Sequence, residues 1–466
     1  MAAALVLAVV GAGTAVAAGT GPGRDGQRPA GLTAAQAADA RAVEQAKLRA
    51  VAINRVLLTM NTALAGDDER AYLSVVLPGS AAFLTHQRSV FRGLQRVPLT
   101  QLRYEWFRET YLTVPDLADQ YAGPAYTARV LRHYTLARWD EQPVTELQGL
   151  TFSQSSTDGR WYLAADDDAE NQLPHSSFAE PWQVGDVSVA STSRVLVIGD
   201  PGSAAGTRKL ATRLDALVGK VAAVWGGRSW NGRVVVYAVT DKRFVNAWFG
   251  TQAATGRRTE STDPATFDAV VGDVFTDPSD FYPGSRPAGT RMVLTPALVR
   301  SDDTGYVEQV LKHELTHVVT NRISTGELPV WMVEGIAEYT AVRSGGSSVD
   351  GAAALARRGL SNSQWRRLKQ GKYRMVLPTA HEVFYQGSSE QVGDSYTSAW
   401  FACLFIADHY GEKRLQQLYR RTAELAATGS PASAEAGALR EVLDTDHAGL
   451  IKDATRYARS VRKRFV

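Results

Sequence analysis

The chain has 466 residues, of which 44% are hydrophobic and 21% charged, so it has a globular composition and is not collagen-like, low-complexity or wholly disordered. Its net charge of +3 is too small for a protein of this size that binds nucleic acid through its bulk surface. The single cysteine excludes an internal disulfide and a multi-thiolate zinc site, so a bound metal needs ligands among the carboxylates and the 8 histidines.

The N-terminus has features of an export signal. Met1–Ala18 is an apolar run that ends in small residues, and Ala15–Ala17 fits a signal-peptidase site. No Lys or Arg precedes the run, which is short for a membrane-spanning helix. The pattern predicts an exported chain, secreted or attached through this segment to the outer face of the cell membrane; a disordered alanine-rich tail is the alternative. Residues 19–31 are predicted to be a linker, so signal or anchor and linker together span 1–31.

The first predicted domain covers residues 32–180. At about 100–200 residues per domain, a chain of this length predicts two domains, and a change to an acidic sequence with Ser and Pro at 166–185 places the boundary. Apolar spacing predicts a long helix over Ala34–Leu64. Asp158-Gly159 is typical of a hairpin turn. Extended segments are predicted at Leu102–Phe107, Ala128–Ala137, Leu150–Phe152 and Trp161–Leu163.

One helix followed by an antiparallel sheet is an α+β plan, and this region resembles the NTF2-like domains. The resemblance lies in the helix, the hairpin and the Gly-Arg-Trp-Tyr-Leu ending at 159–163. It implies a cone with a pocket, and many such domains bind partners instead of catalysing. The sequence shows no paired carboxylates or His–Asp set typical of a catalytic site in this region, and it does not specify a partner. His86 and His133 are interpreted as surface or structural histidines.

The second predicted domain covers residues 183–466, where strand and helix patterns alternate. Short apolar runs predict strands, and apolar residues at helical spacing predict the helices between them. These elements are the strands Arg194–Ile198, Val234–Tyr237 and Arg291–Leu294 and the helices Ala204–Val224 and Tyr306–Arg322.

The strongest chemical signal is the motif His-Glu-Leu-Thr-His at 313–317, inside the last of these helices. His313 and His317 lie one helical turn apart, so both imidazoles can reach a single metal ion. Glu314 stands beside them, placed to hold and activate a metal-bound water. The apolar face of the same helix predicts that the site is partly buried.

A catalytic zinc takes three protein ligands and leaves its fourth position to water, so a third ligand is required. The metzincin class is excluded, because Thr320 and Ile323 stand where that class needs Gly and His. A second helix is predicted to start at Pro329 and carries Glu334 and Glu338 on one face. We interpret Glu334 as the ligand and Glu338 as the acceptor of a hydrogen bond from a ligand imidazole. The alternative is that both are solvated surface glutamates.

The two motifs together resemble the gluzincin metallopeptidases, and most closely the peptidase MA-like domains of bacteria. The residues that carry the resemblance are His-Glu-Leu-Thr-His and, after it, Pro-x-Trp-x-x-Glu-Gly-x-Ala-Glu-Tyr, within a similar region at 190–425. The resemblance implies a small mixed sheet with a helical half. It also implies zinc ligation by His313, His317 and Glu334, with Glu314 as the base. The aminopeptidase motif Gly-Ala-Met-Glu-Asn does not occur in the sequence, which argues against simple N-terminal trimming.

The tetrahedral oxyanion of peptide hydrolysis needs a hydrogen-bond donor in addition to zinc. Tyr396 is the candidate, because the apolar helix that it is predicted to open resembles the final core helix of the family; Tyr385 and His381 are the rivals. The resemblance also places an edge strand near Arg291–Leu294 that pairs with extended peptide.

The sequence therefore predicts an exported zinc metallopeptidase of α+β fold, with an NTF2-like domain ahead of a gluzincin-like catalytic domain. Its expected cofactor is Zn²⁺, and its expected substrate is a peptide or protein and not a nucleic acid. The alternative is a catalytically silent binding protein of peptidase fold at the cell surface. A purely structural zinc site predicts four protein ligands, whereas the sequence offers three.

Overall fold

The computed structural model describes residues 34–169, 180–225, 230–245, 248, 269–276, 287–323, 326–345 and 360–463. The predicted export segment and linker at 1–31 lie outside these residues. The chain forms two compact units, Met1–Arg49 and Ala50–Val466, and the described part of the first unit is helical from residue 34 to residue 49. Among the described residues, no helix combines the length and the apolar character of a membrane span.

The first part of the described chain consists of helices followed by an antiparallel sheet. Its elements are α1 (Ala34–Ala65), α2 (Glu69–Leu73), α3 (Ala81–Arg96), β1 (Leu99–Leu112), α4 (Leu117–Gln120), β2 (Ala125–Leu136), β3 (Val144–Gln154) and β4 (Trp161–Ala165). The strands pair in the order β1-β2-β3-β4. Gln154 pairs with Trp161 where β3 leads into β4, at the position of the predicted hairpin. Helices and small sheets in one chain confirm the α+β fold class.

The second sheet is mixed. Its strands are β5 (Ser188–Ser191), β6 (Val195–Gly199), β7 (Val234–Ala238), β8 (Ala269–Val274) and β9 (Gly289–Leu294), with α5 (Pro181–Val184) before β5 and α6 (Ala204–Trp225) after β6. Among the described strands the order is β5-β6-β7-β9-β8. The expectation of an edge strand near Arg291–Leu294 is wrong, because β9 pairs with β7 on one side and with β8 on the other. Of the strands that the structure describes, β8 is the outer one on this side of the sheet.

Both faces of the second sheet are buried at its strands β6 and β7. Successive residues of a strand point to opposite faces, so Val195 and Val197 pack with the C-terminal helices, whereas Leu196 and Ile198 belong to the core of the first sheet. In β7, likewise, Val234 and Val236 pack with the C-terminal helices, and Val235 and Tyr237 belong to the core of the first sheet. The second sheet is therefore a central layer between the helices that carry the predicted site and the first part of the chain.

The C-terminal part of the described chain is helical. Its helices are α7 (Pro296–Arg300), α8 (Thr304–Thr320), α9 (Val330–Arg343), α10 (Asn362–Lys369), α11 (His381–Phe384), α12 (Ser389–Tyr410), α13 (Glu412–Ala426), α14 (Pro431–Leu443) and α15 (His447–Lys463). The sequence predicted that helix α12 starts at Tyr396, but the helix begins earlier, at Ser389. The reason is a capping box, in which the Ser388 side chain accepts from the Gln391 backbone N–H and the Gln391 side chain accepts from the Ser388 N–H.

A buried ion pair connects the two sheets. The side chains of Arg291 in β9 and Asp140 before β3 are fully buried, and the guanidinium donates to both carboxylate oxygens at 2.6 and 3.1 Å. The Glu141 backbone N–H donates to the Ala288 carbonyl at 2.8 Å beside it. Because removal of one partner would leave a buried charge without compensation, the pair holds β9 against the segment before β3.

Helices α9 and α12 approach each other closely at Gly335. A Cβ atom at this position would lie 2.6 Å from the carbonyl oxygen of Ala399 and 2.9 Å from the Sγ of Cys403. Contacts this short do not occur for real side chains, so a residue without a side chain is needed at the crossing. Gly335 directly follows Glu334, and the depth at which α9 packs therefore sets the position of that carboxylate.

We expect Gly335→Ala to destabilise the protein, although Ala in place of Gly stabilises an unobstructed helix by about 1 kcal/mol. The added methyl group pushes α9 away from α12, and overpacking of this kind costs about 1–3 kcal/mol. Urea-induced unfolding measures the difference. The control is Gly206→Ala in α6, where a Cβ atom meets nothing within 4 Å. Equal stability of the two variants would contradict the close-packing account.

Candidate metal centre

Helix α8 carries the His-Glu-Leu-Thr-His motif. Asp303 caps its first turn by accepting hydrogen bonds from two backbone N–H groups at 3.1 and 3.0 Å. Leu311 and Leu315 are fully buried and hold one face of the helix in the core. With that face fixed, His313 and His317 project together from an adjoining face and remain partly accessible, with 11% and 17% of their side chains exposed.

Helix α9 brings Glu334 to these histidines. The helix is almost entirely buried, and its first turn is anchored by Trp331, whose Nε1 donates to Glu435 Oε1 in α14 at 2.7 Å. The Nδ1 atom of His447 lies 2.8 Å from the same oxygen. This anchor is one helical turn before Glu334 and restrains where the carboxylate lies.

The structure brings together the three residues predicted as metal ligands. The two Nε2 atoms of His313 and His317 are 3.0 Å apart, and Glu334 Oε2 lies 3.2 Å from the first and 3.5 Å from the second. Tetrahedral zinc with bonds of about 2.0–2.1 Å has ligand atoms about 3.3–3.4 Å apart. The three donors therefore fit around one zinc ion, and two imidazoles with one carboxylate are a ligand set that catalytic zinc uses.

The charges at the centre also fit a cation. Burial by itself raises the pKa of Glu334, but the imidazoles of His317 and His313 outweigh it and hold the pKa well below its usual range. Burial likewise lowers the pKa of His313, but its hydrogen bonds to Glu334 and Glu338 outweigh this and raise the pKa well above its usual value. The buried carboxylates thus favour positive charge among the imidazoles, and a divalent cation supplies it in place of a proton.

Glu338 lies one turn after Glu334 and faces the same histidine. Its Oε1 is 3.3 Å from His313 Nδ1, so the ring can donate Nδ1–H to Glu338. In that tautomer the neutral ring is unprotonated at Nε2, and the lone pair of this atom faces His317 and Glu334. Both glutamates are buried in this structure, 7% and 9% exposed, and they are not solvated surface residues.

Glu314 and Tyr396, predicted to be catalytic, lie near the same cluster. Glu314 is buried, and its charge contributes to the raised pKa values of both His313 and Tyr396. The Tyr396 ring centroid is 6.1 Å from that of His313. Burial, followed by the charge of Glu334, raises the pKa of the Tyr396 phenol well above its usual value, so this phenol keeps its proton.

Of the two rivals of Tyr396, Tyr385 bonds to Glu334 and His381 packs on Tyr385. The Tyr385 hydroxyl donates to Glu334 Oε1 at 2.7 Å, and the His381 ring packs on Tyr385 with centroids 4.6 Å apart. The Tyr396 hydroxyl donates to the Tyr385 oxygen at 3.5 Å. The sequence analysis missed the Tyr385–Glu334 bond, because no periodicity or motif relates the short helix α11 to α9.

Comparison with known proteins gives distant structural matches. A solved structure of native yeast LTA4 hydrolase is similar to this chain with a TM-score of 0.35 and 11% sequence identity, over 78% of this chain and 59% of that one. The chain thus spans less than two thirds of that protein's length. No protein-family model matches the sequence, and no curated protein does. Functional assignment therefore depends on the residues of the centre.

We expect Glu338→Ala to lower zinc affinity by about 10–100-fold, because loss of a hydrogen-bond partner behind a ligand imidazole has an effect of that size. Affinity is measured by competition with a chromophoric chelator. The control is Glu382→Ala, which removes one exposed negative charge from α11. Equal affinities of the two variants would contradict the interaction between Glu338 and His313.

Proposed function

We propose that this protein is an exported zinc metallopeptidase, gluzincin-like in its catalytic half, that hydrolyses peptide bonds. The observation that carries the proposal is the set of three donor atoms on His313, His317 and Glu334, 3.0–3.5 Å apart, with Glu314 beside them in the sequence. Among the residues that the structure describes, the ligand set comprises three side chains, which suits catalysis because catalytic zinc keeps one position for water, whereas structural zinc is closed by a fourth residue. A bound zinc ion supplies Lewis acidity: it lowers the pKa of water to about 7 and polarises the scissile carbonyl.

Glu314 is the general base in this proposal. It accepts the proton of the attacking water and delivers it to the nitrogen of the leaving amine. Its burial beside the ligands favours this role, because a carboxylate withdrawn from bulk water exchanges protons with the reacting groups and less with solvent.

Tyr396 is the donor to the oxyanion in this proposal. The Tyr385 hydroxyl donates its hydrogen bond to Glu334 at 2.7 Å, so it is engaged elsewhere. Within the described part of the structure, the Tyr396 hydroxyl makes a single long hydrogen bond, 3.5 Å, to Tyr385. A substrate oxygen that becomes negative in the transition state competes well for the hydrogen bond of the Tyr396 hydroxyl.

The export part of the proposal rests on the N-terminal apolar run and its Ala15–Ala17 site. The substrate is then a peptide or protein outside the cytoplasm. The NTF2-like resemblance of the first region suggests a second partner of unspecified chemistry.

Glu314→Gln tests the mechanism directly. The variant is expected to keep about one zinc per chain and to lose about 10²–10⁴-fold in hydrolysis, because the amide keeps the shape of the side chain but accepts no proton. Elemental analysis and cleavage of a fluorescently labelled unfolded protein give the two values. The matched control is Glu308→Gln on the same helix, which is paired with Lys312 away from the ligands and is expected to keep both properties.

Unchanged hydrolysis by Glu314→Gln would contradict the assigned base. A parent protein that holds zinc but cleaves no member of a broad peptide library would instead support the catalytically silent binding protein.

A further inference from the structure

We propose that Tyr385 is a positioning residue that holds Glu334 as a metal ligand through one oxygen only. The inference rests on the proposed zinc site, and it concerns how the third ligand is oriented. Its basis is the unequal environment of the two oxygens of a single carboxylate.

The two oxygens of Glu334 face different partners. Oε2 points at the imidazoles, 3.2 Å from His313 Nε2 and 3.5 Å from His317 Nε2. Oε1 accepts the hydroxyl hydrogen of Tyr385 at 2.7 Å. A carboxylate bound in this way by a short hydrogen bond resists the rotation that would turn both oxygens toward the metal.

The number of ligand oxygens decides what else the metal can bind. Two imidazoles and one carboxylate oxygen make three ligands, which leaves a fourth position for water or for the substrate carbonyl. A carboxylate bound through both oxygens occupies that position or forces a crowded five-coordinate site. Tyr385 thus preserves the open position, although its hydroxyl bonds to the ligand and not to the reacting atoms.

Packing holds Tyr385 where this bond requires it. Phe384 is fully buried beside it, with ring centroids 5.0 Å apart, and the His381 ring lies against the other side at 4.6 Å. The Tyr385 backbone N–H donates to the His381 carbonyl at 3.2 Å. The phenol is thus held in place by the residues of its own short helix.

The test replaces Tyr385 with Phe and reads the metal itself. Zinc is removed, Co²⁺ is added, and the visible absorption of the cobalt is recorded, because four-coordinate cobalt absorbs more strongly than five-coordinate cobalt. We expect the parent to give the strong spectrum and Tyr385→Phe to give a weaker one. Zinc affinity, measured by chelator competition, is expected to fall about 10-fold or more in the variant.

Tyr396→Phe is the matched control, since it removes a neighbouring phenol whose hydroxyl, in the described part of the structure, bonds to Tyr385 and not to the carboxylate. Its cobalt spectrum and zinc affinity are expected to equal those of the parent. Hydrolysis is not the readout, so a lost catalytic role of Tyr396 does not disturb the comparison. Thermal unfolding of both variants shows whether they are folded.

A second measurement uses the unmodified parent and so does not depend on the folding of a variant. The infrared difference spectrum between the zinc-loaded and the metal-free parent, recorded with isotope-labelled glutamate, reports the splitting between the two stretches of the glutamate carboxylate that binds the metal, and this splitting distinguishes ligation by one oxygen from ligation by two. We expect the wide splitting of one-oxygen ligation. The narrow splitting would overturn the inference.

The failure of this inference is distinguishable from failure of the proposed function. Identical cobalt spectra and zinc affinities in the parent and in Tyr385→Phe, with one metal bound in each, would overturn the role of Tyr385 and leave the zinc site standing. A parent that binds neither zinc nor cobalt would overturn both.

Discussion

The position of Glu334 depends on how closely α9 can pack against α12. Gly335 makes that approach possible, because any side chain there would collide with the Ala399 carbonyl. Trp331, bonded to the buried Glu435, fixes the first turn of the same helix. These contacts are close packing and a hydrogen bond, and their result is electrostatic: a carboxylate lies against two imidazoles in a space largely withdrawn from water. A buried group of this kind is stable only with a compensating charge, and a cation provides it.

The second sheet connects the first part of the chain to the helices that carry the candidate metal centre. Its strands β6 and β7 are buried on both sides and read in the sequence as continuous apolar runs, as parallel strands between two layers do. One side supports α6, α8 and α9, and the other belongs to the core of the first sheet. Because the Arg291–Asp140 pair is buried at this contact, separation of the two parts would expose apolar residues and leave charges without partners. The division into domains at 32–180 and 183–466 stays a prediction: residues 50–180 and 183–466 belong to one compact unit, Ala50–Val466, and residues 32–49 belong to the other.

Local patterns predicted the elements that carry the site, because these elements have strong periodicity. The apolar spacing around residues 306–322 and the spacing of the two histidines were enough to place both imidazoles on one face of α8. The start of α12 could not be found in this way, since its first turns are polar and are fixed by the Ser388 capping box. The strand order was also beyond local reasoning, because whether β9 is an edge depends on where the preceding strand β8 pairs. The Tyr385–Glu334 hydrogen bond joins residues from separate helices and leaves no trace in the spacing of either one.

The central claim is that His313, His317 and Glu334 hold one zinc ion with an open position. X-ray diffraction from crystals of the purified protein, recorded on both sides of the zinc absorption edge, tests it most directly. The account predicts one anomalous peak about 2.0–2.2 Å from both Nε2 atoms and from one oxygen of Glu334, with no fourth protein ligand. The account would be contradicted by a zinc peak with a fourth protein ligand or by a peak elsewhere in the chain. It would also be contradicted by crystals grown with zinc that show no peak at this position.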